Sequence, residues 1–191
     1  MAKNLLSLKL LGSPSVFLNQ EEVFFPFAKI NALLYYLHIN GAVNREEIAG
    51  ILWENKDNQT AKKNLRNTIY QANKLLGGEW IVAPNRTVLS LNPECAIESD
   101  VERFTDHPAE HLSLYQGDFL QGFYLKDSEA FDYWVSKMRT RYEQLYIQAC
   151  YQQLETEKDH LDLEEAERNL RRLISIDEFD EKNYHLLMKL Y

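Results

Sequence analysis

The stretch TAKKNLRNTIYQANKLLG, Thr60 to Gly77, constrains the fold more than any other part of the chain. On a helical wheel at about 100° per residue it places Ala61, Leu65, Ile69, Ala72 and Leu76 on one face. The opposite face carries Lys63, Asn67, Tyr70 and Lys74, with Arg66 and Gln71 at its shoulders. The segment has four basic residues and no carboxylate, in a 191-residue chain of formal net charge −8. One side is core, and the other is basic and amide-bearing.

The flanking sequence supplies a context for such a helix. Upstream, LLSLKLLGSPSVFLNQEEVFFP alternates and is punctuated by Gly12, Pro14 and Asn19-Gln20, which predicts three short antiparallel strands. FAKINALLYYLHIN follows with Ile30, Leu33, Leu34 and Leu37 at helical spacing, and Gly41 ends it. NREEIAGILW predicts a short helix with Asn44 as N-cap and Glu46 and Glu47 in the first turn, where the helix dipole favours anions. Downstream of Gly77-Gly78, two β-rich runs flank APNR, a hairpin signal. Strands, three helices and a hairpin, in that order, predict a winged helix-turn-helix, whose last helix enters the major groove.

From Asp100 onward the pattern is helical. SEAFDYWVSKMRTRYEQLYIQACYQQLETEKDH predicts a long amphipathic helix with Phe131, Trp134, Met138, Leu145 and Ala149 on or near one stripe. DLEEAERNLRRLISID and DEKNYHLLMKLY predict two shorter helices, paired at a spacing of roughly 34 residues in the manner of tetratricopeptide hairpins. The expected architecture is thus an α+β winged helix-turn-helix with small antiparallel sheets at 1–98, then an all-α, TPR-like domain at 99–191. The chain stops within an apolar helical pattern at Tyr191, which suggests a piece of a longer protein.

Charge divides the same way. Residues 1–98 hold 10 Lys+Arg against 9 Asp+Glu, a net of +1, whereas residues 99–191 hold 11 against 20, a net of −9. The two halves are expected to meet different partners. No apolar run approaches the roughly 20 residues that span a bilayer, and the N-terminus lacks a signal-peptide h-region. A cytoplasmic, nucleoid-associated protein with no membrane partner is expected. Cys95 and Cys150 are expected to be idle or buried thiols, because a chain of this apolar content needs no disulfide staple.

A basic and amide-bearing face suits duplex DNA. Lys and Arg neutralise phosphates and release counterions, while Arg reads guanine and Asn or Gln reads adenine in the major groove. Lys63, Asn67 and Gln71 are the base-reading candidates, and Lys62, Arg66 and Lys74 the phosphate contacts, with Tyr70 on the same face. Arg86 at the hairpin tip is placed to reach the adjacent minor groove.

These segments resemble the Streptomyces antibiotic regulatory protein (SARP) type of bacterial activator, which joins an OmpR-type winged helix to a bacterial transcriptional activator domain. The resemblance rests on AKINALLYYL (Ala28–Leu37), REEIAGILW (Arg45–Trp53), NLRNTIYQANKLLG (Asn64–Gly77) and DVERF (Asp100–Phe104). LYQGDFLQGF (Leu114–Phe123), FDYW (Phe131–Trp134) and YHLLM (Tyr184–Met188) complete it in the family's order. It implies an activator that binds direct-repeat promoter sites as side-by-side protomers and contacts RNA polymerase, with the helical domain mediating protomer or polymerase contacts. By position, Arg66 matches the arginine of the family's N-L-R, and Lys74 a basic site on the same helix. The chain departs from the family at Gln71 and Asn73, where members often carry arginine, so phosphate attraction should be weaker and sequence preference shifted. No receiver domain precedes the winged helix, so a phosphorylated aspartate is not the expected switch. The Lys-, Asn- and Tyr-rich composition also differs from that of actinobacterial members, so the target genes need not concern antibiotics.

Other constellations are weaker. His107 and His111 are four apart, but Pro108 interrupts them and no third ligand is evident nearby, so surface histidines are expected and no metal. Asp118 in LYQGDFLQGF has no partner at catalytic spacing; the motif reads as a turn whose glycines allow special backbone angles, docking Phe119, Leu120 and Phe123 between helices. No phosphate loop, G-x-S-x-G elbow or HExxH occurs, so neither catalytic residues nor a cofactor are expected. The acidic runs ETEKD and DLEEAE read as solvated faces, with a basic polymerase surface as the sharper alternative. The competing functional class is a helical-repeat adaptor whose winged helix binds a protein, since fold alone does not decide function.

Overall fold

Alternation in the first twenty residues builds a sheet because every second side chain enters the core. In the computed structural model, which describes residues 4–156 and 163–190, β1 (Leu5–Lys9) buries Leu6 and Leu8 and pairs antiparallel with β2 (Ser15–Leu18). β2 turns into β3 (Glu21–Glu22) through Asn19 and Gln20, both at positive φ (53° and 72°), as a tight two-residue hairpin requires. The sequence suggested antiparallel pairing throughout. The fourth strand of this sheet departs from that: Ala96–Ser99, numbered β7 below, lies parallel to β1 with Leu6 opposite Ile97. A parallel partner needs a crossover, and here the whole helix-turn-helix and its hairpin provide it.

α1 (Ala28–Asn40) buries Ile30, Leu33, Leu34 and Leu37 together with Tyr35 and Tyr36, and ends at Gly41 (φ 70°), whose N–H bonds to Leu37 O. β4 (Val43–Asn44) leads into α2 (Arg45–Leu52), where Asn44 Oδ1 accepts from the backbone N–H of Glu46 at 2.8 Å. α3 (Asn58–Leu75) starts two residues before the wheel suggested, because Asp57 caps it, accepting from Thr60 N at 3.0 Å and Thr60 Oγ1 at 2.6 Å. Its inner face carries Ala61, Leu65, Ala72 and Leu76 as expected, with Ile69 half-buried and Thr68 also buried. Gly77 (φ 67°) closes the helix, and the Gly78 N–H bonds to Asn73 O at 3.0 Å. β5 (Ile81–Val82) and β6 (Val88–Leu91) then form the wing hairpin, with β4 on its outer side.

β7 (Ala96–Ser99) leads directly into the helical half. α4 (Asp100–Asp106) is capped by Ser99, and the half-buried Asp100 carboxylate accepts from the N–H groups of Leu10 and Leu11 at 2.8–2.9 Å. A single 3-10 turn (Leu112–Leu114) precedes α5 (Glu129–Thr156), α6 (Leu163–Ile176) and α7 (Glu181–Leu190). Phe131, Trp134 and Ala149 are buried on α5, and Met138 and Leu145 pack partly buried against them. Buried amides knit the bundle: Tyr146 donates to Asn169 Oδ1 at 3.2 Å, and Tyr151 to Asn183 Oδ1 at 2.7 Å. Most of the ETEKD run, the link before Leu163, and Tyr191 lie outside the described residues.

The LYQGDFLQGF segment joins the halves. Leu120 N bonds to Leu10 O at 2.9 Å and Gly12 N to Asp118 O at 3.1 Å, while Phe119 packs edge-on to Trp134 at 5.7 Å between ring centres. Phe123 meets Tyr35 at 5.6 Å, and Trp134 meets Tyr36 at 4.8 Å. The docking of Phe119, Leu120 and Phe123 is as expected, but the glycines act differently from one another. Gly122 sits at φ 76°, whereas Gly117 is needed for closeness: a Cβ there would meet Gln121 Oε1 at 2.0 Å and the Gly12 Cα at 3.0 Å. One continuous hydrophobic core runs through both halves.

Candidate nucleic-acid interface

The face of α3 turned away from that core presents Lys63, Arg66, Asn67, Tyr70 and Lys74, all exposed, Tyr70 by 61%. Nothing on α3 is acidic. Lys63, Arg66 and Lys74 make no ion pair among the described residues. Gln71 is half-buried. Lys62 lies on one flank, where its Nζ is 2.5 Å from Glu46 Oε1 at the start of α2, and this hydrogen bond holds the Glu46 carboxyl below its usual range. Its charge is therefore partly matched within the protein, unlike that of its neighbours.

The wing tip is shaped by one side chain. Asn85 Oδ1 accepts from Thr87 N at 2.9 Å, from Thr87 Oγ1 at 2.9 Å and from Val88 N at 3.0 Å, which curls the turn and leaves Arg86 exposed at its apex. The Thr87 carbonyl accepts from Arg45 N at 2.8 Å, tying the wing to the start of α2. Arg45, Lys62, Arg66 and Arg86 then surround a cleft of about 230 Å³ between wing and helix, with Glu46 as its carboxylate. Arg45 was not a sequence candidate; only the wing packing brings it there.

Asn73 has a different task from the one its position suggested. It is half-buried: its Oδ1 accepts from Trp80 N at 3.1 Å and Ile81 N at 2.9 Å, and its Nδ2 donates to Ile81 O at 2.9 Å. It fastens β5 to α3, so arginine there would add no charge to the outer face without breaking this latch.

On the flank opposite the wing, Asn64 and Asn67 look into a second cleft of about 500 Å³ walled by Phe27, Lys29, Trp53 and Lys126. Lys29 donates to Leu52 O and sits 5.2 Å above the Trp53 ring; partial burial lowers its pKa, with Asp127 opposing the shift.

The remaining candidates lie away from this face. The His107 and His111 rings meet edge to face at 6.4 Å, and among the described residues no cluster of three or more His, Cys, Asp or Glu could hold a metal ion. Cys95 and Cys150 form no disulfide, and burial pushes the Cys150 thiol up to about 12. No helix among the described residues is long and apolar enough to cross a membrane.

The architecture, an α+β winged unit with small sheets followed by a helical bundle, is found in a solved structure. The chain is similar to the structure of Mycobacterium tuberculosis EmbR in complex with a low-affinity phosphopeptide, with a TM-score of 0.73 at 21% identity over 99% of this chain. The chain spans 55% of the length of that EmbR chain. No protein-family model matches the sequence, and no curated protein sequence matches it.

Proposed function

We propose that this protein is a sequence-specific, DNA-binding transcription regulator that acts by binding and not by catalysis. The observation that carries the reading is the outer face of α3: Lys63, Arg66, Asn67, Tyr70 and Lys74 exposed together on a helix without carboxylates, beside a wing tipped by Arg86. Phosphate neutralisation gives such a face affinity, and amide and guanidinium edges in the major groove give it sequence preference. In this reading Asn67, Lys63 and Gln71 meet bases, Arg66, Lys74 and Lys62 meet phosphates, and Arg86 reaches the adjacent minor groove.

The SARP resemblance, and the likeness of fold to EmbR, support a finer version. Residues 1–98 form the DNA-binding domain, and residues 99–191 the domain that contacts RNA polymerase. Protomers sit side by side on a direct repeat near a promoter, in the cytoplasm at the nucleoid, and activate transcription. The test is selection of genomic fragments from the source organism at near-physiological salt, with Arg66→Ala run in parallel. Recovery of fragments that share a spaced direct repeat, lost in the variant, supports the reading. Equal and sequence-blind recovery by both proteins removes sequence recognition from α3.

The adaptor reading has one observation of its own. Phe179, Tyr184 and Met188 are exposed by 84%, 42% and 69% in and beside α7, the composition of a protein-binding surface. Weak binding to every duplex together with tight binding to a protein partner favours it.

A further inference from the structure

A helix seated in the major groove has a sugar-phosphate backbone on each side, because the groove is about 12 Å wide and bounded by two strands. The wing flank of α3 has its cations in Arg45, Arg66 and Arg86. The opposite flank has a cleft of its own, and its cations come from elsewhere in the chain: Lys29 from α1 and Lys126 from the turn that leads into α5. We propose that this second cleft is the seat of the other DNA strand's backbone, with Lys126, a residue of the helical half, as its principal phosphate contact. The inference rests on the DNA-binding reading and extends it to a part of the molecule that sequence reasoning assigned to other partners.

Three features of Lys126 support this assignment. Its backbone is held on both sides: Leu125 is buried, and two residues later Ser128 Oγ donates to Ile51 O at 2.5 Å. The side chain itself is exposed and makes no ion pair among the described residues. It also shares a cleft wall with Asn64 and Asn67, so it is continuous with the reading face of α3.

The electrostatic surroundings favour an anion. Lys29 and Lys56 both lie close enough to influence one another, and the carboxylate that acts on Lys29 is Asp127. The nearby Glu54 carboxylate is occupied in accepting from Ala130 N at 3.1 Å, where it caps α5. Lys29, Lys56 and Lys126 outnumber the Asp127 and Glu54 carboxylates, so the surroundings of the cleft keep a small excess of positive charge. Lys29 is already directed at the Leu52 carbonyl and Trp53 ring, which leaves Lys126 as the exposed donor. Phe27, 59% exposed on the rim, offers an apolar surface to deoxyribose.

The experiment measures binding of the full chain to a duplex recovered in the fragment selection, as a function of salt. It compares the parent protein with Lys126→Gln, Lys126→Arg and Arg66→Ala, and adds phosphate-ethylation interference on both strands. Lys126→Gln should lower the slope of log K against log salt by about one unit, with Arg restoring it. The lost interference should fall on the strand opposite the one affected by Arg66→Ala. Thermal melts should match, since the Lys126 side chain is exposed. An unchanged slope in Lys126→Gln beside a reduced slope in Arg66→Ala overturns this inference and leaves the DNA-binding reading standing. Failure of the parent to bind any duplex overturns both. Saturable binding of an uncharged aromatic compound in the cleft, with no effect of Lys126→Gln on DNA, assigns the cleft to a small ligand and also overturns it.

Discussion

Basic residues serve opposite ends in the two halves of this molecule. In the helical half, Lys126 apart, several are engaged by the fold itself. Arg139 donates from Nε to Phe119 O at 2.9 Å and from Nη2 to Leu120 O at 3.0 Å. Arg172 donates to Tyr115 O at 2.6 Å while lying over the Tyr115 and Tyr146 rings, Arg171 pairs with Glu167, and Lys182 sits 3.8 Å from the centre of the Tyr151 ring. On α3, Lys63, Arg66 and Lys74 have no such partners among the described residues. A count of cations alone would have rated the halves nearly alike, at 10 and 11. What makes a surface available to an anion is that the fold has left its cations unengaged.

That contrast can be broken by exchanging roles. Arg139→Ala should cost stability most, about 2–3 kcal/mol, because it strands the buried Phe119 carbonyl and removes one of two donors to Leu120 O at the joint between the halves. Urea denaturation should show a lower midpoint, while the folded protein keeps its DNA affinity. Asn73→Ala should come next, at about 1–3 kcal/mol, since three hydrogen bonds to the wing are lost. It should also weaken DNA binding by loosening the wing, an effect that a mere surface asparagine would not have.

Arg66→Ala is the converse case. Stability should stay within about 0.5 kcal/mol, yet DNA affinity should fall and the salt slope flatten by about one unit.

His38 sharpens the comparison from a third side, as a base that the fold keeps uncharged. Its Nε2 lies 2.7 Å from Ser99 Oγ, and burial lowers its pKa against the opposing pull of Glu102. Protonation therefore favours the unfolded chain. The stability tied to neutral His38 is complete above about 6.5 and is lost as pH falls from there through the depressed folded value. Melting temperature should drop between pH 7 and 5.5, and less so in His38→Gln. The smallest effect belongs to Glu46→Gln, which frees Lys62 and removes a carboxylate beside Arg66 and Arg86. DNA binding should tighten and its salt slope steepen by up to about one unit.

Legibility in the sequence followed the range of the interactions. The buried stripe of α3, the Asn44 cap, the Gly41 stop and the wing hairpin all depend on residues within a turn or two of each other, and periodicity exposes them. The parallel pairing of β7 with β1 joins residues some ninety positions apart, and Ala96–Ser99 carries too little alternation to advertise it. The Asp57 cap was hidden in the polar link ENKDNQ, where several residues could serve. Asn73 and Gln71 look alike on a wheel, and only the position of β5 separates a latch from a flank residue. Arg45, Lys29 and Lys126 entered the site through packing alone, so no spacing rule could have gathered them.

The aromatic joint of Tyr35, Tyr36, Phe119, Phe123 and Trp134 has a geometric consequence. A winged unit that shares its core with the body behind it works like the jaw of a fixed caliper, with no elbow to take up slack. Two such molecules on tandem sites would hold their acidic helices at an angle dictated by the helical phase of the duplex. Inserting about 5 bp, half of the ~10.5 bp turn, would swing one body to the far side of the DNA while leaving each site fully occupied.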